Sequence, residues 1–90
     1  EFSVLRGARN ILENDAPLLV FECEQRHLTG ATVGEILAWL QALGYDGWFV
    51  QSGKLRAISE FNTELHQRQQ GEKFWNKPDY CNNFILRKSP

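Results

Sequence analysis

A chain of 90 residues with ten basic and eleven acidic side chains has a formal net charge of −1, which argues against nucleic acid or an anionic membrane as a partner. Its 42% hydrophobic share is enough for a packed core, and its longest apolar run, Ala16 to Phe21, is far too short to cross a membrane. The two cysteines define no disulfide framework, so we expect reduced thiols and a cytoplasmic location.

The first predicted element is an amphipathic helix that is already under way at the first residues. Its apolar side chains recur at helical spacing until the stretch Asn14-Asp15-Ala16-Pro17 ends the pattern; they are Phe2, Val4, Leu5, Ala8, Ile11 and Leu12. Because no N-cap precedes this helix, we expect residues 1–90 to be a single partial domain of a longer protein. Gly7 costs a helix about 1 kcal/mol relative to alanine, which predicts that it permits close helix–sheet contact.

A strand, a capped helix and a second strand follow. Leu18 to Phe21 is apolar without alternation and is followed by Glu22, which predicts that Leu18–Glu22 is a strand buried on both faces of a sheet. Thr32 and Glu35 form a capping box at the start of the next helix, and Gly44 is placed to end it. Tyr45–Gln51 is the second strand. Such a βαβ unit is expected to have parallel strands.

The remaining elements extend this unit to a three-layer α/β domain. Ser52-Gly53 predicts a tight turn into a strand over Lys54–Ile58. The polar stretch 60–71 predicts only a weak, exposed helix, and Asn83–Lys88 predicts a last short strand.

The order of these motifs resembles the FkbM family of S-adenosylmethionine-dependent methyltransferases. The matching segments, in chain order, are Val4-Leu5-Arg6-Gly7-Ala8, the strand from Pro17 to Glu22, Leu43-Gly44-Tyr45 and Asn83-Phe84-Ile85-Leu86. The resemblance implies the C-terminal portion of a Rossmann-like methyltransferase sheet, made of the βαβ unit, the hairpin and a final antiparallel strand. It also implies methyl transfer to oxygen, with a small molecule or a sugar as acceptor.

The chain departs from the family where the cofactor would bind. Members hold S-adenosylmethionine with a glycine-rich turn after the first strand and an acidic residue after the second. This chain contains no Gly-x-Gly cluster, and it starts after the family's Asp-x-Glu-Gly motif. We therefore expect S-adenosylmethionine to bind the full-length parent, and we expect this fragment alone to be inactive and to bind no cofactor.

Glu22 and Glu24 are the candidate catalytic residues. They follow an apolar strand, where α/β sheets gather their active sites, and strand alternation would point both to the same side. A carboxylate there could position the acceptor or remove its proton, and together with His27 the pair could bind a divalent metal. The alternative is that all three are solvated residues at the end of a strand, and we assign no metal site.

Three tryptophans give the chain a second class of candidate function. Tryptophan often marks interfaces and sugar-binding surfaces, although packing in a small domain is the commoner role. Trp39 lies off the apolar face of its helix, so we expect it to be the most exposed of the three. The rival to an enzyme is therefore a non-enzymatic α/β binding module. In a truncated domain, by contrast, a sheet edge left unpaired would favour self-association.

Overall fold

Residues 6–88 form a four-stranded sheet with short helices in a computed structural model that describes this part of the chain. The strands are β1 (Leu19–Glu22), β2 (Tyr45–Gln51), β3 (Lys54–Ala57) and β4 (Asn83–Lys88). The helices are α1 (Arg9–Asn14), α2 (Val33–Ala42) and α3 (Thr63–His66), with 3-10 turns at Gln25–His27, Ile58–Glu60 and Phe74–Asn76. The chain is thus a small α/β domain, as its sequence predicts. None of the helices in these residues is long and apolar enough to cross a membrane.

The last strand lies between two strands that run in the same direction. The sheet order is β1-β4-β2-β3, and every neighbouring pair is antiparallel. Phe84 of β4 is opposite Phe21 of β1 on one side and Phe49 of β2 on the other. Because β1 and β2 are both antiparallel to β4, they run parallel to each other without sharing a ladder. The predicted directions of all three strands are confirmed.

Helix α2 begins and ends where its capping residues predict. The Thr32 hydroxyl accepts a hydrogen bond from the Glu35 amide at 3.1 Å, which satisfies one of the free N–H groups of the first turn. At the other end Gly44 has a φ of +95°, the left-handed conformation that favours glycine, and its amide donates to the Gln41 carbonyl. Local side-chain chemistry therefore determines both ends of this helix.

The hairpin between β2 and β3 also follows its turn residues. Ser52 and Gly53 have φ values of +50° and +77°, and two positive values in sequence suit the right-handed twist of a two-residue hairpin. β3 ends at Ala57, one residue before the predicted end, because Ile58 begins a 3-10 turn and is buried.

One face of the sheet carries the core, and the other does not. In β1 the side chains alternate, since Leu19 and Phe21 pack against the core while Val20 is 70% exposed. The prediction that this strand is buried on both faces is therefore wrong. Leu12 of α1 belongs to the same cluster as the buried residues of α2, so residues 6–88 form two layers and not the predicted three. Continuous hydrophobicity indicated two covered faces, but both helices contribute to one core.

The first predicted helix is confirmed only over α1. Phe2, Val4 and Leu5 lie outside the described residues, and Ile11 is 54% exposed where the pattern predicts an inner face. A Cβ on Gly7 would meet nothing within 4 Å, so the prediction of close contact there is wrong.

The polar stretch 60–71 is less exposed than its composition predicts. It contains only the single turn α3, whose first amides donate to the Asn62 side chain. Phe61 packs against the core, and His66 is buried against the rings of Phe61 and Phe49. The short helix therefore covers part of the core.

Candidate functional site

The candidate site lies at the end of the sheet where β1 and β2 end and β4 begins. The chain pairing continues one residue past β1, because the Cys23 amide donates to the Asn82 carbonyl at 2.9 Å. This contact brings the segment after β1 against the segment that precedes β4. The polar and aromatic side chains of the site come from the last residue of β1 and from these two segments; they are Glu22, Glu24, Arg26, His27, Trp75 and Tyr80.

A buried glutamine ties the segments of the site together. Gln67 is 2% exposed, and its Nε2 donates to the carbonyl oxygens of Cys23 at 2.8 Å and Cys81 at 3.0 Å. Its Oε1 accepts from the Gln25 amide at 2.7 Å. One side chain thus satisfies three buried backbone groups from both sides of the site. Sequence reasoning missed it, because nothing distinguishes Gln67 from the other glutamines of a polar stretch.

Glu24 is the best-anchored charge of the site. Its side chain is only 3% exposed, and its Oε1 accepts a hydrogen bond from Arg26 Nε at 2.9 Å. Its Oε2 lies 3.7 Å from His27 Nδ1. Burial alone would raise the pKa of Glu24, but the neighbouring Arg26, Tyr80 and His27 outweigh it and lower that pKa below its usual value.

Tyr80 places a buried hydroxyl beside this ion pair. Its oxygen is inaccessible to water and has no hydrogen bond of good geometry among the described residues. Burial, reinforced by the negative charge of Glu24, raises the pKa of Tyr80 to about 12. The phenol therefore stays protonated at neutral pH. Its hydroxyl lies next to the carboxylate of Glu24.

Arg26 is held from two directions. Besides its bond to Glu24, its guanidinium carbon lies 4.4 Å from the ring centroid of Trp75, a cation–π distance. Trp75 is 37% exposed, whereas Trp39 packs against the core, so the prediction that Trp39 is the most exposed tryptophan is wrong.

Glu22 has a different environment from Glu24. It is exposed at the end of β1, opposite Asn83 in the ladder, and its side chain forms no hydrogen bond or ion pair within residues 6–88. Its carboxylate is therefore open to solvent and to any molecule that approaches this edge. Of the two predicted residues, Glu22 is accessible from outside, and Glu24 is buried against Arg26 and His27.

The other chemistry considered from the sequence is not assembled. In the described part of the chain, no three His, Cys, Asp or Glu side chains are grouped so that they could hold a metal ion. Cys23 and Cys81 are buried and are not joined in a disulfide. Burial raises the pKa of Cys81, which disfavours the nucleophilic thiolate form.

Comparisons of the chain with protein-family models, with curated proteins and with solved structures gave no match.

Proposed function

We propose that this chain forms the C-terminal, acceptor-side part of an S-adenosylmethionine-dependent methyltransferase that acts on a hydroxyl of a small molecule or sugar. One observation carries the proposal: β4 lies antiparallel between two parallel-running strands, β1 and β2, that α2 connects. A final antiparallel strand of this kind is what the resemblance to the FkbM family implies. The order of the matching motifs along the chain supports the same assignment.

The position of Glu22 supports a role at the acceptor. In α/β sheets, ligands bind beyond the carboxyl ends of parallel strands, and β1 ends at Glu22. An exposed carboxylate at that edge can accept the proton of an acceptor hydroxyl as the new oxygen–carbon bond forms. The O–H bond then breaks toward a Glu22 oxygen, and the proton stays there until water removes it.

Glu24 is a positioning residue in this proposal. Its carboxylate lies 2.9 Å from Arg26 Nε and 3.7 Å from His27 Nδ1, so both side chains are kept at the edge of the site. With the sequence carrying no Gly-x-Gly cluster, we assign none of its residues to the cofactor and derive no step through it. S-adenosylmethionine, held by another part of the protein, would supply the methyl group.

The deciding experiment is Glu22→Gln in the complete methyltransferase polypeptide. Glutamine keeps the shape of the side chain but cannot accept the proton, so we expect methyl transfer at saturating substrates to fall 10²–10⁴-fold, or about 3–5 kcal/mol of barrier. The matched control is Glu64→Gln, an exposed carboxylate of α3 without an ion pair in the described residues. Melting curves of both variants should match the parent. A Glu22→Gln rate within threefold of the parent would show that Glu22 is not the base.

The rival is a non-enzymatic α/β binding module. It is favoured if the polypeptide transfers no labelled methyl group from S-adenosylmethionine to any member of a panel of hydroxylated acceptors. In that case Glu24, Arg26 and Tyr80 would be a buried structural cluster, and Glu22 a solvated carboxylate at a strand end.

A further inference from the structure

A second concave surface lies at the opposite end of the sheet from Glu24. It forms where β2 begins and where β3 and β4 end, beside the C-terminal part of α2. Its volume is about 280 Å³, and its lining residues are Gln41, Asp46, Gly47, Trp48, Ala57, Ser59 and Arg87. The surface is open to solvent, and its charged side chains are one carboxylate and one guanidinium.

Gly47 shapes this cavity through the backbone. A Cβ at this position would collide with the carbonyl oxygen of Ile85 in the neighbouring strand, so no larger residue fits without a shift of backbone. Gly47 therefore contributes only backbone atoms to the lining of the cavity.

The two charges in the cavity face each other without pairing. Asp46 and Arg87 are opposite one another in the ladder of β2 and β4, a position that favours an ion pair. In the described residues neither forms one. The Arg87 guanidinium instead lies 5.3 Å from the Trp48 ring centroid, and the Asp46 carboxylate accepts only from the Gly47 amide at 2.9 Å. Both side chains line the cavity and can form further hydrogen bonds with a ligand there.

We propose that this cavity binds a neutral saccharide of about one ring. The lining combines an acceptor (Asp46), a donor (Arg87) and two groups that do both (Gln41 and Ser59). Sugar hydroxyls both donate and accept, so one ring can satisfy all four. The partly exposed Trp48 offers an apolar surface to the C–H groups of such a ring.

The opposite charges of Asp46 and Arg87 disfavour a small anion or cation as the ligand. An anion drawn to Arg87 meets Asp46 directly across the ladder, and a cation drawn to Asp46 meets Arg87, so a singly charged ligand gains little. This site is separate from Glu22 and does not depend on the proposed methyl transfer.

The test is a titration of the ¹⁵N-labelled full chain with glucose, galactose, mannose and N-acetylglucosamine, each followed by amide shifts. Saturable shifts at 46–48, 57, 59 and 87 with at least one sugar are expected, in the millimolar range typical of a small exposed site. Asp46→Asn and Arg87→Gln should each weaken binding about tenfold, because each removes a charge-assisted hydrogen bond. Both residues are exposed, so neither variant should unfold the chain.

Two matched variants keep the result specific. Asp79→Asn and Arg68→Gln make the same chemical changes at exposed positions outside the cavity and should leave the affinity within twofold. Trp48→Phe should weaken binding while keeping a ring in the sheet. Any of three results overturns the proposal: no saturation with any sugar, shifts confined to residues 22–27, or tighter binding of the zwitterion glycine than of every sugar.

Discussion

Two arginine–tryptophan pairs, at opposite ends of the sheet, show how burial of a carboxylate separates a structural cluster from an open one. At one end Arg26 lies over Trp75 and is completed by Glu24, whose side chain is 3% exposed. At the other end Arg87 lies over Trp48, and the carboxylate across the ladder, Asp46, is exposed and unpaired.

The difference follows from the cost of desolvating a charge. A carboxylate as buried as Glu24 must be paired and hydrogen-bonded, because an uncompensated buried charge is strongly destabilising. An exposed carboxylate such as Asp46 is already satisfied by water and gains little from a surface ion pair. An arginine, a tryptophan and a carboxylate therefore form a buried cluster at one end and a ligand-accessible surface at the other.

The largest expected effect concerns Gly47, which lines the cavity beside Trp48. Gly47→Ala places a Cβ against the Ile85 carbonyl, which belongs to the backbone and cannot rotate away. We expect a loss of about 2–3 kcal/mol in the free energy of unfolding, measured by urea denaturation. Gly7→Ala is the matched control, since its Cβ would meet nothing within 4 Å and should not destabilise the chain. Equal stability of the two variants would contradict the contact at Gly47.

A second prediction compares the buried carboxylate of Glu24 with the exposed carboxylate of Asp46. Glu24→Gln removes the charge that Arg26 and His27 share, and we expect a loss of about 2 kcal/mol, below the range for fully buried pairs because Arg26 is 28% exposed. Asp46→Asn should change stability by less than about 0.5 kcal/mol. Thermal melts at neutral pH provide the measurement. If Asp46→Asn costs as much as Glu24→Gln, the two ends are not different in kind.

The smallest expected effect is a difference in acid sensitivity. The folded-state pKa of Glu24 is lowered, so its contribution to stability is complete above the ordinary carboxyl pKa of 4.5 and is lost as the pH falls through the folded value. Stability measured from pH 6 to pH 3 should therefore fall less steeply in Glu24→Gln than in the parent. Parallel curves for the two proteins would show that Glu24 does not contribute to acid unfolding.

The parts of the fold that could be predicted from the sequence depend on neighbouring residues. Thr32 with Glu35, Gly44 and Ser52-Gly53 each determine a cap or a turn within a few positions, and the structure confirms each. The parallel course of β1 and β2 follows from the helix that joins them.

The remaining features depend on contacts between residues far apart in the chain. The apolar run in β1 cannot show whether one face or two will be covered, so Val20 was predicted to be buried and is exposed. Glu24 is buried because the segment around Tyr80 folds over it, and no local pattern indicates that. The Gln67 side chain bonds to the backbone of Gln25 and Cys23, which lie 42 and 44 positions earlier in the chain. The glutamates could therefore be named as candidates, but their unequal environments could not be predicted.

The central position of β4 has a consequence for how the domain folds. β1 and the hairpin of β2 and β3 share no ladder, so the sheet stays in two pieces until Asn83–Lys88 inserts between them. The stretch that is translated last among the strands is thus the one that joins the others, and its pairings span long loops. Pairings of high sequence separation slow folding, because the entropy of loop closure must be lost before the contacts form. On the ribosome, β1 and β2 would lack their shared ladder partner until β4 emerges. In that interval the nascent chain would be most prone to aggregation and most dependent on chaperones.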